Sequence, residues 1–339
     1  MMKRAQRPLA VTMGEPAGIG PELILKAWKE RYERDLPEFY VVADPEFLKA
    51  RAKELGINVP VKVVEPEDAL PVFHSSLPVF PLSSSVKCQA GEPDSKNAAA
   101  VIESIRTCVA HVLERKAEAL VTNPIAKSVL YEAGFEHPGH TEYLAHLSHE
   151  LYSVHAEPVM LLAGPDLMTV PLTVHIPLKD VPAALTEELI ITKARIVHND
   201  MRRRFGLTSP RLAICGLNPH AGEDGTMGRE DREIIAPAVR KLQDEGINAS
   251  GPFPGDTLFH REARKTYDVA LATYHDQALI PVKTIAFDDT VNVTLGLPFV
   301  RTSPDHGTAF GLAGTGKASA NSLSAALRLA LALAEPELV

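Results

Sequence analysis

Short apolar runs alternate with helical patterns along most of this chain, and that alternation limits the available folds more than any other feature. "PLAVTM" (8–13) leads through a Gly/Pro loop into "PELILKAWKERY", and "FYVVAD" (39–44) leads into "PEFLKARAKELG". There Pro45 suits a first helical turn and Gly56 the position just past a helix end. "EALVTNP" (118–124), "MTVPLTVH" (168–175), "RLAICGLNPH" (211–220) and "YDVALATYHD" (267–276) read as further strands, and "REDREIIAPAVRKLQDEG" (229–246) as a helix. Residues 60–97, rich in Pro and Ser, read as irregular or short-stranded, and Leu323, Leu327 and Leu331 mark the buried stripe of a last helix. Such alternation predicts an α/β protein with a largely parallel sheet. At 339 residues the chain exceeds one compact core, so two lobes are expected.

Three of these apolar runs finish in or just before a histidine: His175, His220 and His275. In open parallel sheets, ligands bind beyond the carboxyl ends of the strands, so residues far apart in sequence converge there. Three neutral imidazoles with an open position form a catalytic divalent-metal arrangement, best suited to zinc. The alternative is that each histidine caps its own strand. The denser group His137, His140, His146, His149 and His155 contains neither HExxH nor HxxEH. His146 and His149 read as a solvated or packing face, whereas His140 and Thr141, on a Gly/Pro turn before a helix, suit an anion.

The formal charge of −8 argues against a nucleic-acid surface. An anionic small molecule would need local cations, for which Lys127, Lys283 and Arg301 are candidates. Cys88, Cys108 and Cys215 form no CxxC pair, which suits a reducing compartment. The N-terminal apolar stretch is too short for a signal peptide and the C-terminal one too interrupted to span a membrane, so a cytoplasmic, membrane-free protein is expected. "GLAGTGKA" (311–318) misses the phosphate-loop pattern because Ala318 stands where Ser or Thr is required, and no GxGxxG occurs, so there is no Rossmann fingerprint.

Together, "GEPAGIGPE", "GHTE", "VHIPL", "CGLNPHAGE", "DTLF", "YHDQ", "VNVTLGLPFVRTS" and "DHGTA" resemble the 4-hydroxythreonine-4-phosphate dehydrogenase family, in order from about residue 10 to about 318. "HGTAFGLAGTGKA" is also similar to the cofactor loop of isocitrate and isopropylmalate dehydrogenases. The resemblance implies their two-lobed αβα fold, with residues 1–130 plus 300–339 in one lobe and 131–299 in the other. It implies a homodimer with a shared active site, in which His175, His220 and His275 hold one divalent ion (Zn, Mg or Co), with ligands contributed by both copies. It further implies substrate contacts from His140, Thr141, Lys283, Asn292 and Arg301, and proton-transfer roles for Asp256, Asp276 and Lys127. His306, Gly307, Gly314 and Gly316 fall on the cofactor loop, for NAD or NADP.

The activity so implied is oxidation of 4-phosphohydroxy-L-threonine at its secondary alcohol, followed by loss of CO₂ to give 3-amino-2-oxopropyl phosphate for pyridoxal phosphate synthesis. Paralogues that oxidise erythronate or threonate 4-phosphate share the histidines. A phosphotransacetylase-like transferase shares the two-lobed architecture but needs neither histidine triad nor nicotinamide.

Overall fold

The computed structural model describes residues 6–335. The basic residues through Ala5 and the tail after Glu335 lie outside the described residues. In chain order the strands are β1 (Leu9–Thr12), β2 (Phe39–Ala43), β3 (Val61–Val63), β4 (Leu77–Pro81), β5 (Leu120–Val121), β6 (Val159–Ala163), β7 (Met168–Pro171), β8 (Leu212–Cys215), β9 (Ala249–Phe253), β10 (Val269–Ala272), β11 (Val291–Leu295) and β12 (Arg301–Pro304). The chain divides into two units, one of Met1–Pro158 and Leu297–Ala334, the other centred on Val159–Gly296.

In the first unit the strand order is β3-β4-β2-β1-β5-β12, all parallel. β1 and β2 are buried along their whole lengths, which explains their continuous apolar runs: a parallel strand covered by helices on both faces has no solvent side. The helix Pro45–Glu54 starts where expected. Asp44 Oδ1 accepts hydrogen bonds from the backbone N–H groups of Glu46 and Phe47, Pro45 occupies the first turn, and Gly56 follows the end at φ +64°. Residues 60–97 hold two short strands, β3 and β4, rather than irregular chain alone. Leu323, Leu327 and Leu331 are buried on the final helix, whose Ala326 carbonyl accepts from Thr302 Oγ1 of β12.

The second unit has the order β11-β6-β7-β10-β8-β9. β7, β10, β8 and β9 are parallel, while β6 runs antiparallel to both β11 and β7. Its core joins Leu162, Leu167, Cys215, Leu258, Tyr267 and Val282. No helix among the described residues is long and apolar enough to cross a membrane.

The division after Pro158 corrects the expected boundary at 130/131. The helix His140–Tyr152 buries Tyr143, Leu144 and Leu147. Arg106, on the helix Ala98–Leu113, grips Glu150 through two bonds of 2.8 and 2.9 Å, so residues 131–158 belong with the first unit. The second junction lies at 296/297, close to the expected 299/300.

Helix Ala98–Leu113 is bolted to the sheet by Ser104, whose buried Oγ accepts from Met13 N at 3.0 Å and donates to Val42 O at 2.7 Å. Ser104→Ala strands both groups and is expected to lower unfolding stability by about 1–3 kcal/mol. Chemical denaturation measures this; an unchanged midpoint would contradict the bolt.

Candidate active site

In the second unit the strand order β7-β10-β8 lines up three neighbouring carboxyl ends, and the three histidines follow them. None lies on its strand. β7 closes with Leu172 N on Ala272 O at 2.7 Å, and the chain then turns left-handed at His175 (φ +54°). β8 stops at Cys215, and His220 opens a run of five left-handed residues, His220 to Asp224. β10 stops at Ala272, and His275 is the first residue of the helix His275–Ile285. The apolar patterns run past the ladders because the residues beyond them still pack, whereas the histidines themselves are exposed or half-exposed.

The His175 and His275 ring centroids are 5.7 Å apart. His275 Nδ1 lies 2.7 Å from Asp276 Oδ1, an arrangement that orients the ring and leaves Nε2 as the nitrogen open to a ligand. Those two histidines and Asp276 border a cavity of about 230 Å³ with Thr173 and Tyr274. His220 borders an adjacent cavity of about 530 Å³ with Asp256, Phe259, Tyr274 and Asp276. Asp276 and Tyr274 thus face both. Imidazole donors, one already oriented by a carboxylate, suit a borderline divalent ion. Among the described residues of one chain, however, no group of three or more His, Cys, Asp or Glu stands close enough to hold one.

Lys283 sits in the last turn of the helix that His275 opens, its Nζ 5.7 Å from the Phe287 ring centroid. Asn292 lies on β11, paired in register with Leu162 of β6. Lys283 thus follows His275 by eight residues on one helix, and Asn292 lies on a strand separated from β7 by β6.

In the first unit, Lys127, His140 and Arg301 form a cationic group. Arg301 is buried on β12 and donates to Thr122 Oγ1 through Nε (3.1 Å) and Nη2 (2.7 Å). Burial pulls its pKa down to about 10. Gly139 admits the Lys127 ammonium, since a Cβ there would meet Nζ at 3.1 Å. His140 opens the helix His140–Tyr152, with Thr141 beside it in the first turn. The residue as a whole is half-exposed, but its Nε2 is shut off from solvent and has no hydrogen-bond partner. Burial first, then Arg301 and Lys127, drive its pKa well below the ordinary imidazole range. His146 and His149 are exposed, as expected, with His149 stacked on His155.

The glycine loop also belongs to the first unit, and it does not run from strand directly into helix as a phosphate loop does. Gly314 and Gly316 adopt φ of +75° and +72°, and a Cβ on Gly314 would meet Ala90 Cβ at 2.7 Å. His306 Nδ1 lies 3.0 Å from the carbonyl of Gly307, and His306 Nε2 is buried without a partner. Two anchors were not visible as such in the sequence: Glu22 accepts from Gly314 N at 3.1 Å, and Lys26 donates to the carbonyls of Gly316 and Ala318 at 2.7 and 2.6 Å. A salt bridge of 3.0 Å one helical turn apart joins Lys26 to Glu22.

The family model described as "Pyridoxal phosphate biosynthetic protein PdxA" matches residues 35–330. A 4-hydroxythreonine-4-phosphate dehydrogenase of Methylorubrum populi is 59% identical over 336 residues, covering 98% of this chain and 96% of that one. The crystal structure of a Klebsiella pneumoniae protein of the same name superposes with a TM-score of 0.86 at 36% identity, over 97% of this chain and all of that one. A branched-chain phosphotransacylase from Enterococcus faecalis, at 14% identity and a TM-score of 0.55 over 97% of this chain and all of that one, shares the fold alone.

A depressed pKa means that native His140 refuses the proton that the unfolded chain accepts near about pH 6.5. His140 therefore subtracts stability as the pH falls through that value and contributes no penalty above it. Imidazole NMR is expected to show its ring titrating well below the ordinary imidazole range; a midpoint at or above the ordinary value would contradict the burial of its ring beside Arg301 and Lys127.

Proposed function

This chain belongs to the PdxA family of pyridoxal phosphate biosynthetic proteins, and from that premise we propose that it oxidises 4-phosphohydroxy-L-threonine with NAD⁺ and decarboxylates the product to 3-amino-2-oxopropyl phosphate. NADP⁺ is the alternative acceptor. The observation that carries the site assignment is the row of His175, His275 and His220 beyond three adjacent parallel strands, with Asp276 already bonded to His275.

His175, His220 and His275 hold the divalent ion, zinc, magnesium or cobalt. The ligand set is completed between two copies of the chain, in keeping with its dispersal within one. Bound there, a divalent ion would supply Lewis-acid stabilisation of the substrate oxygen, and a nicotinamide would supply the hydride acceptor. The remaining work belongs to side chains. Asp256 and Asp276 carboxylate oxygens border the cavity beside His220, and one of them takes the hydroxyl proton. Arg301, Lys127, His140 and Thr141 hold the anionic groups of the substrate, the guanidinium buried and the ammonium exposed. A neutral His140 donates or accepts a hydrogen bond there without adding charge. Lys283 and Asn292 are the further substrate contacts that the family resemblance implies. His306, Gly307, Gly314 and Gly316, braced by Glu22 and Lys26, receive the cofactor. Lys127 either pairs with substrate charge or assists proton transfer. Three free cysteines accord with a cytoplasmic setting.

The test is NADH formation with 4-phosphohydroxy-L-threonine, erythronate 4-phosphate and threonate 4-phosphate at equal concentration. Turnover of the first alone is expected; preference for a sugar-acid phosphate would overturn the substrate assignment. His220→Ala is expected to keep its fold by circular dichroism, lose bound metal, and lose more than about a hundredfold in turnover. A metal-free, fully active variant would overturn the site.

A further inference from the structure

The three histidine-bearing turns are joined by one continuous chain of hydrogen bonds, and a single side chain stands at its centre. Thr173, two residues before His175, donates from Oγ1 to the carbonyl of Thr273 at 2.8 Å. Thr273, two residues before His275, is fully buried, and both its N–H (2.7 Å) and its Oγ1 (2.9 Å) donate to Oε1 of Gln277. Gln277 Nε2 in turn donates to the carbonyl of Gly216 at 2.9 Å, at the start of the loop that carries His220.

From Gly216 the chain of bonds continues. Gly216 N donates to Phe253 O at 2.7 Å. The next two residues are tied to buried Asp231: Leu217 N to Oδ1 at 2.8 Å, and Asn218 Nδ2 to Oδ2 at 2.8 Å. A Cβ on Gly216 would come within 2.7 Å of Asp231 Oδ1, so this junction has no slack. Beyond it the backbone enters the left-handed run that begins at His220.

From this geometry we infer that Gln277, which borders the cavity beside His220, is a positioning residue that sets the mutual placement of His175, His275 and His220 through its bonds to their turns. Its amide orientation is forced: Oε1 faces two donors and Nε2 faces a carbonyl, so both polar ends are committed to protein. Backbone pairing holds β7, β10 and β8 together only as far as Pro171, Ala272 and Ile214. Past those points, beyond the bond from Leu172 N to Ala272 O, the Thr173–Thr273–Gln277–Gly216 chain runs from turn to turn. Losing a group that orients metal ligands from behind typically costs about 10–100-fold in metal affinity. The inference rests on the reading of the three histidines as metal ligands.

The experiment is a Co²⁺ titration of the full-length protein, wild type, His220→Ala and Gln277→Met, followed by the visible ligand-field bands and by metal content after desalting. Methionine keeps the length and bulk of Gln277 but removes both hydrogen-bonding ends. Co²⁺ affinity in Gln277→Met is expected to drop about tenfold or more, and the band pattern at saturation is expected to differ from that of the wild type. A Gln277→Met protein with lowered thermal stability but wild-type affinity and spectrum would overturn the inference, since that is the signature of a merely structural bond. Thr173→Val, which removes one bond of the chain, decides by the same readouts if Gln277→Met is recovered unfolded. A wild type that binds no Co²⁺ would instead overturn the reading of the histidines, and with it this inference.

Discussion

The parallel pairing of β10 with both β7 and β8 is the constraint on which the site depends. Parallel strands end on the same side, so each of the three must release its chain at one edge of the sheet. Their registers, Ala272 opposite Pro171 and Leu271 opposite Ile214, bring the releases to nearly one level. Side chains separated by 100 residues between His175 and His275 then become neighbours without further folding. An antiparallel neighbour at either position would have sent one histidine to the opposite edge.

What happens just beyond the ladders is costly and locally enforced. His175 and His220 both hold the left-handed backbone that favours glycine, and His220 is followed by Ala221, Glu223 and Asp224 in the same region. Each non-glycine residue there costs about 1–2 kcal/mol, so such a run persists only where surrounding contacts over-determine it. Asp231 supplies those contacts at the base of the loop. The buried Arg301 of the first unit makes a parallel case. Arg301 is costly to bury, and its bonds to Thr122 Oγ1 offset part of that cost. An anion is the natural complement of Arg301, Lys127 and the proton-refusing His140.

Much of this was legible in the residues. Strand–helix alternation identified the α/β class because a parallel strand buried on both faces must be continuously apolar. The three histidines stood out because each closed such a run. The strand limits were less legible, since Leu172, Thr173 and Val174 continue the apolar pattern after β7 has stopped. β6 and β11 were missed because an antiparallel pair inside a mostly parallel sheet has no periodicity of its own. The boundary near residue 130 was misplaced because nothing local announces that Tyr143, Leu144 and Leu147 pack into the first unit. Gln277 and Asp231 were invisible as anchors for a similar reason: a polar residue after a strand reads as solvated until its partners are known. Glu22 and Lys26 looked like an ordinary helical ion pair, and only the returning loop at Gly314–Ala318 gives them a second task.

The central claim is that the three strand-end histidines meet at one divalent ion once two copies of the chain are assembled. Anomalous diffraction at the zinc edge, from crystals grown with Zn²⁺, tests it most directly. The account predicts one strong peak per chain, bounded by the imidazoles of His175, His220 and His275 drawn from two copies. Zinc bound elsewhere, or bound with any of these three imidazoles turned away, would contradict it.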